Sequence, residues 1–453
     1  MKKQTDLGKD NVGGLLLKLA LPAITAQLVN MLYNIVDRIY IGHIPNEGVN
    51  ALTGLGLCFP IIMLVSAFSS LVGMGGAPQA AIYMGKKDME KAETILGNCV
   101  STLIIISLVL TVFFQTFGQN LLTMFGASEN TLPYAYAYLQ IYVCGTIFVQ
   151  MSLGLNSFIT TQGFSTISMM TVVIGAVTNI VLDPIFIFGF HMGVRGAALA
   201  TIMSQAVSSL WVLRFLTGPK TKLRIKRKNL RAKKEIVFPV LALGVSPFVM
   251  QSTESILNIS FNASLSRYGG DIAVGAMTIL SSVMQFVMMP ISGLSQGAQP
   301  ITSFNFGAGN TDRIKQAFKI LFLAAVTYSG VFWLLIMSVP QVFVRLFNDS
   351  SPELLETTVW ALRIYGAGIF MLGAQIACQQ TFVALGQAKI SLFLACLRKI
   401  ILLIPLIFLL PTFMEDKVFA VFLAEPVADI LAALTTITMF ILFFKKILAK
   451  AGK

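Results

Sequence analysis

Long apolar runs recur along the chain, and short segments rich in glycine, proline and charge separate them. A helix needs about 20 residues to cross the hydrocarbon layer of a bilayer, and twelve runs are long enough. Hydrocarbon admits only helices or closed barrels, and these runs are too long for barrel strands. The pattern therefore predicts an all-α integral membrane protein with twelve transmembrane helices. The runs lie near residues 15–41, 51–84, 94–118, 132–160, 166–189, 196–217, 236–265, 273–304, 314–340, 357–385, 390–411 and 418–444.

The second six runs resemble the first six in sequence. Residues 51–53 (ALT) match residues 276–278 (AMT) at an offset of 225, and residues 139–142 (LQIY) match residues 362–365 (LRIY) at 223. Six spans return a chain to its starting side, so the two halves are expected as parallel repeats around a central cleft. We predict an amino-terminal six-helix lobe at residues 1–217, a basic cytoplasmic linker at 218–234 and a carboxy-terminal six-helix lobe at 235–453.

Composition supports a membrane protein and leaves no room for a large soluble domain. Of 453 residues, 56% are hydrophobic and 12% charged, against about 25% charged in soluble proteins. The net charge of +13 arises mainly from Lys and Arg in alternate loops, which predicts a multi-pass protein of the cytoplasmic (inner) membrane with both termini cytoplasmic. The basic linker is expected to be solvated or to contact anionic membrane lipids, and no nucleic-acid partner is expected.

Two carboxylates stand out inside the apolar runs of the first half. Asp37 lies near the end of span one, and Asp183 lies in span five, four residues after Asn179 and directly before Pro184. Residues four apart share a helix face, and proline frees a backbone carbonyl. Charged groups are costly in hydrocarbon, so these residues are candidates for an Na⁺ or proton site. The alternative is that Asp37 pairs with Arg38 and that Asp183 only caps its helix.

The second half lacks these groups at the matching positions. Asn262 takes the place of Asp37, while Leu402 and Leu406 take the places of Asn179 and Asp183. A carboxylate needed only for packing should recur in both repeats, so the asymmetry favours a dedicated ion site in the first. The second half has its own isolated acid, Glu254, for which a functional role and an ion pair with Arg363 remain open.

Other residues suggest structural roles. Glu425 and Asp429 lie four apart in span twelve and are expected to form structural hydrogen bonds. The glycine-rich stretches at residues 71–78 and 293–300 would allow close helix approach. The five cysteines lie in apolar runs without metal-ligand spacing and are interpreted as unpaired packing residues.

No enzymatic constellation is present. The chain has two histidines, no HExxH motif, no nucleophile elbow and no Walker motif, so we expect neither an enzyme nor an ATP-driven pump. Coupling to an ion gradient is then the remaining energy source for transport. No cofactor is expected beyond the coupling ion.

Four segments together resemble the multidrug and toxic compound extrusion (MATE) family, on its MepA-like and DinF-like side. These are VDRIYIG, NIVLDPIFIFGF, GVRGAALAT and FLAEPVAD. The resemblance covers essentially the whole chain. In that family an amino-terminal network handles the coupling ion. It corresponds here to Asp37, Asn179, Asp183 and Thr201, which would ligate Na⁺ in a sodium-coupled protein, and to the supporting residues Tyr33, Tyr138 and Asn156. Another branch uses a second-lobe site, for which Glu254 is the candidate here.

The resemblance implies a secondary active transporter that exports amphipathic, mainly cationic organic compounds, including drugs and toxic cations, in exchange for Na⁺ or H⁺. Xenobiotic export, antibiotic resistance and a monomeric state are the corresponding expectations. A lipid-linked saccharide flippase of the same superfamily is the alternative. A membrane enzyme or receptor without transport is a further alternative from another class.

Overall fold

The computed structural model describes residues 5–45, 47–345 and 352–452, and within these ranges all regular structure is helical. The ends of the predicted lobes at residues 1–4 and 453 lie outside them. The α-helices of the described ranges are α1 (Val12–Gly42), α2 (Gly48–Gly85), α3 (Met89–Met124), α4 (Leu132–Cys144), α5 (Thr146–Val149), α6 (Leu155–Thr161), α7 (Ser165–Pro184), α8 (Val194–Thr217), α9 (Lys234–Gly307), α10 (Thr311–Ser338), α11 (Pro340–Arg345), α12 (Pro352–Tyr365), α13 (Ile369–Ala384), α14 (Ala388–Cys396), α15 (Ile404–Phe413) and α16 (Lys417–Leu448).

These helices are consistent with twelve spans. In the described residues, ten helical segments are long and apolar enough to cross a bilayer, and the pair formed by α4 and residues 146–161, bent by 59°, gives an eleventh. The twelfth comes from α9, whose 74 residues would be about 110 Å long if straight. Gly270 breaks α9 with φ 61° and ψ −156°, a conformation that favours glycine, so α9 crosses and returns. The predicted all-α membrane fold is confirmed.

Helix α1 links the two halves of the chain. Its first turns, including Leu15 and Leu19, pack in a core formed mainly by second-half residues such as Ala317. Its last turn packs through Ile41 in a first-half core that includes Tyr138. A movement of α1 therefore changes its packing against both halves.

The halves touch closely where glycines remove side chains between helices. A Cβ on Gly75 of α2 would lie 2.2 Å from the Val240 carbonyl oxygen, and one on Gly244 of α9 would lie 1.7 Å from the Leu71 carbonyl oxygen. Real side chains do not fit at such distances, so the close approach predicted for residues 71–78 is confirmed. The approach at 293–300 is confirmed as well, because a Cβ on Gly297 would lie 2.7 Å from a backbone atom of α1.

These contacts lie toward one end of the bundle. They involve the start of α1, the end of α2 and both ends of α9, which share the side of the amino terminus and the linker. Toward the opposite end, α1 exposes Asn30 and Asn34, and α9 exposes Glu254, Asn258 and Asn262. Polar side chains are unfavourable against lipid. The structure is therefore closed at the amino-terminal side and has a polar cleft open toward the other side.

The basic linker folds against α3 and is not simply solvated. Leu223 is fully buried, and Asn98 of α3 accepts a hydrogen bond from the backbone N–H of Lys233 at 2.6 Å. Lys226 forms an ion pair with Glu93 at 2.5 Å. The linker is thus part of the packed structure at this end of the bundle.

The cysteines are unpaired in the structure. Cys144 is exposed and accepts a hydrogen bond from Gln115 at 3.2 Å, so the interpretation as a packing residue was wrong for this position. Its exposure follows from its place on the outer surface of α4, where an apolar sequence context does not distinguish lipid-facing from buried positions.

Candidate ion-binding site

Asp37 and Asp183 meet where α1 packs along α7. Both side chains are buried, with 8% and 0% of their surface exposed. Their carboxyl groups lie within hydrogen-bonding reach of each other. Asp37 Oδ1 and Asp183 Oδ2 have no donor partner in the protein. Two carboxylates in contact repel each other when both are ionised, so this arrangement calls for a proton or a cation between them.

Asn179 adds a third oxygen to the pair. Its Nδ2 donates a hydrogen bond to Asp183 Oδ1 at 3.2 Å from one helical turn earlier, and its Oδ1 has no partner. The side chain is fully buried. An unsatisfied buried acceptor costs about 1–3 kcal/mol, which a bound cation would recover. The carboxylate and amide oxygens are of the type that hard cations such as Na⁺ prefer.

A tyrosine layer borders the carboxyl pair. Tyr33 interacts electrostatically with both acids, and the Tyr138 hydroxyl lies close to Thr201. Thr201 also donates to the Ala197 carbonyl at 3.0 Å. Sequence reasoning missed Tyr142, which is buried, stacks with Tyr138 at 6.1 Å between ring centroids and interacts with Tyr33. Its spacing of four residues from Tyr138 was the available signal.

Asn156 lies apart from this group. Its Nδ2 donates to the Ser168 carbonyl at 3.2 Å, and its Oδ1 accepts from the Thr171 hydroxyl at 3.0 Å. Thr171 precedes Asn179 by eight residues, or about 12 Å along α7. Asn156 is therefore placed to reach the carboxyl pair only through the polar face of α7, and its role in the same network stays a prediction.

The helix ending after Asp183 explains how the side chain is presented. Pro184 closes α7 and cannot donate a backbone hydrogen bond to the preceding turn. A π-helical turn, Ile185–Gly189, follows directly. Such widened turns often occur at functional sites because they redirect side chains and backbone carbonyls.

Arg38 does not neutralise the pair by direct contact. Its side chain is exposed, and its guanidinium lies over the Phe59 ring at 5.6 Å from the centroid. The structure has no ion pair between Arg38 and Asp37, both of which are described. Arg38 still interacts with Asp37 electrostatically, but it is not a hydrogen-bonded partner of that carboxylate.

The second half holds a charged cluster of its own. Glu254 pairs with Lys399, so the suggested pairing with Arg363 was wrong. Sequence reasoning overlooked Lys399 and Arg398, although this Arg-Lys dipeptide lies within the apolar run at 390–411. Arg398 contacts Asp429 at 2.6 Å and Glu425 at 3.2 Å, so these two acids form buried ion pairs as well as hydrogen bonds.

Comparison with known proteins places this architecture in a family. The MatE family model matches residues 22–185 and 247–409, one match in each half of the chain. The chain belongs to the MatE family. The first matched segment contains the carboxyl pair and the second contains Glu254, and each starts within the first span of its half.

Curated relatives of this MatE protein cover nearly its whole length. Multidrug export protein MepA of Staphylococcus haemolyticus (strain JCSC1435) is 26% identical over 415 residues, which are 91% of this chain and 90% of that protein. Multidrug export protein MepA of Staphylococcus aureus (strain N315) is 24% identical over 391 residues, covering 86% and 85%. The predicted MATE-type, MepA-like resemblance is thereby confirmed.

Solved structures show the same fold. A crystal structure of MATE in the bent conformation superposes with a TM-score of 0.91 at 21% identity, and both chains are covered completely. The outward-facing conformation of a multidrug resistance MATE family transporter of the MOP superfamily gives 0.89 at 22% identity, again with complete coverage. The twelve-helix architecture of the MatE chain is therefore one that solved transporters share.

Proposed function

We propose that this MatE protein is a secondary active antiporter that exports small, amphipathic, mainly cationic organic compounds in exchange for Na⁺ or H⁺. The names of the curated relatives support multidrug export. The buried pair of Asp37 and Asp183 is the observation that carries the coupling, because its unpartnered oxygens form a site for one small cation or proton. In this proposal Asn179 and Thr201 complete the ion site, and Tyr33, Tyr138 and Asn156 support it.

Coupling requires that ion and substrate favour opposite conformations of the same protein. An ion between the two carboxylates removes their repulsion and draws α1 toward α7. Because α1 also packs in the second-half core, this movement alters the contact between the halves. The ion thus favours one conformation through α1, and the organic substrate in the cleft favours the other.

The driving force is adequate for such an exchange. One elementary charge crossing 100 mV releases about 2.3 kcal/mol, which corresponds to about a fiftyfold concentration gradient of a neutral substrate. Exchange of a monovalent cation for one coupling ion moves no net charge, and the ion concentration gradient then supplies the energy. We propose both termini and the linker on the cytoplasmic side, as the distribution of Lys and Arg suggests, and a monomer surrounded by membrane lipids.

The test is efflux of ethidium from proteoliposomes under an imposed Na⁺ gradient or an imposed proton gradient. One of the two gradients should drive efflux from vesicles with the protein and not from empty vesicles. An ionophore that collapses that gradient should stop the efflux. A protein that is inert under both gradients would contradict the proposal, and transport of a lipid-linked saccharide would then be measured as the alternative.

A further inference from the structure

A row of polar residues lies on one face of α9, in the part of the helix that precedes the break at Gly270. Gln251, Glu254, Asn258 and Asn262 follow each other at spacings of three or four residues. Gln251 accepts a hydrogen bond from Ser70 of α2 at 3.0 Å, which is a contact between the two halves. The other three residues are exposed, with 56% of the Glu254 side chain accessible. Because polar groups do not face lipid, this row faces the cleft between the halves.

Lys399 approaches Glu254 from inside the second half. Its side chain is only 5% exposed, and its ammonium group contacts the Glu254 carboxylate and donates to the Met250 carbonyl at 2.7 Å. Lys399 lies in the π-helical segment Leu397–Leu403 between α14 and α15. A molecule in the cleft can therefore reach the carboxylate of this ion pair but not its ammonium group.

The pair belongs to a larger cluster of charged side chains. Glu254, Glu425 and Asp429 supply three carboxylates, whereas Arg398 and Lys399 supply two cationic groups. Arg398 contacts both Glu425 and Asp429, and Glu425 also interacts electrostatically with Lys399. If Glu254 turned away from Lys399, the Met250 carbonyl would still accept a hydrogen bond from the buried ammonium. Glu254 is therefore the exposed carboxylate of the cluster, with no ion pair to Arg398, and it can take a new partner from the cleft.

We propose that Glu254 binds the cationic group of a substrate in the cleft, and that Lys399 is an internal cation which the substrate displaces. This inference rests on the proposed export of organic cations and assigns the charged subsite to the second half. Lys399 weakens the binding of a cationic substrate, because its ammonium group and the substrate compete for the Glu254 carboxylate. The same competition assists release, since Lys399 recovers Glu254 as the substrate leaves.

Equilibrium binding of ethidium to the purified full-length protein tests the subsite without any ion gradient. Lys399→Met removes the competitor and should tighten binding at least tenfold. Glu254→Gln should weaken it at least tenfold, and Lys399→Met added to Glu254→Gln should give no tightening. Arg363→Met is the matched control, because it removes an exposed cation of the same half that does not pair with Glu254, and its affinity should equal that of the wild type.

Unchanged or weaker ethidium binding by a Lys399→Met protein that elutes and melts as Arg363→Met does would overturn the proposal. Tightening that persists without the Glu254 carboxylate would overturn it as well. Should Lys399→Met not fold, wild-type affinity in Glu254→Gln alone has the same consequence. The expected binding pattern without gradient-driven efflux would support the subsite and refute antiport, whereas efflux without that pattern would refute only the subsite.

Discussion

Asp183→Asn is the sharpest perturbation of the candidate ion site. Asparagine has nearly the size of aspartate, and its amide oxygen can still accept the hydrogen bond from Asn179. The substitution therefore removes one negative charge and changes little else. It also ends the repulsion between the two carboxyl groups, so the empty protein should be at least as stable as the wild type.

The expected effect on ion binding follows from the charge removed. A cation about 4 Å from a carboxylate gains roughly 4 kcal/mol at an effective dielectric constant of about 20. That energy corresponds to about a thousandfold in affinity. The variant should therefore fail to bind the coupling ion at concentrations that saturate the wild type, and gradient-driven ethidium efflux should disappear.

The assay combines efflux from proteoliposomes with thermal melting in detergent. Asp271→Asn is the matched control. It removes an exposed acid at the bend of α9, on the same side of the membrane as Asp183. Efflux by Asp183→Asn with the ion dependence of the wild type would refute the reasoning and direct attention to the second-half cluster. Lost efflux together with a melting temperature well below that of Asp271→Asn would assign a structural role to Asp183.

Three further substitutions test the contact between the halves, the second-half cluster and the linker. Gly244→Ala should abolish ethidium efflux, because a methyl group 1.7 Å from the Leu71 oxygen prevents closure of the halves; Gly330→Ala, with open space around it, should not. Arg398→Met should lower the melting temperature, because removing one partner of buried ion pairs costs about 3–5 kcal/mol. Asn98→Leu should speed trypsin cleavage of the linker several-fold on a gel time course, because two hydrogen bonds that hold it are lost at about 1–3 kcal/mol each.

Each of these three predictions can be contradicted by a specific result. Normal efflux by Gly244→Ala would mean that the halves need not approach at this point during transport. An unchanged melting temperature for Arg398→Met, relative to Lys389→Met on the exposed end of α14, would mean that water reaches the cluster. Cleavage of Asn98→Leu at the wild-type rate would show that the apolar contacts of Leu223 hold the linker without the hydrogen bonds.

The candidate ion site shows how far sequence reasoning reaches. Asp37 and Asp183 were recognisable because isolated acids in apolar runs are rare and costly. The spacing of Asn179 and Asp183 placed both on one helix face. That α1 packs along α7 and brings the two acids together is a property of the assembled bundle, because 146 residues separate them.

The second-half cluster shows where sequence reasoning failed. Glu254 was recognised, but Lys399 was not, since a single dipeptide changes the hydropathy of a long apolar run very little. Comparing the repeats position by position also concealed the cluster. Its cations, Arg398 and Lys399, lie in the π-helical segment after α14, where the first half has Gly175 and Ala176 at the matching offset.

The sequence by itself determined the class of this protein: helical spans, their number, the duplication and the MatE resemblance all depend on hydrophobic length and local motifs, which are properties of contiguous residues. Only the tertiary structure decided which charges meet, that Glu254 pairs with Lys399, that the linker packs on α3 and which end of the cleft is closed. Those outcomes depend on contacts between residues far apart in the chain. In a membrane bundle such contacts are selected by helix packing and by the cost of leaving buried charges unpaired.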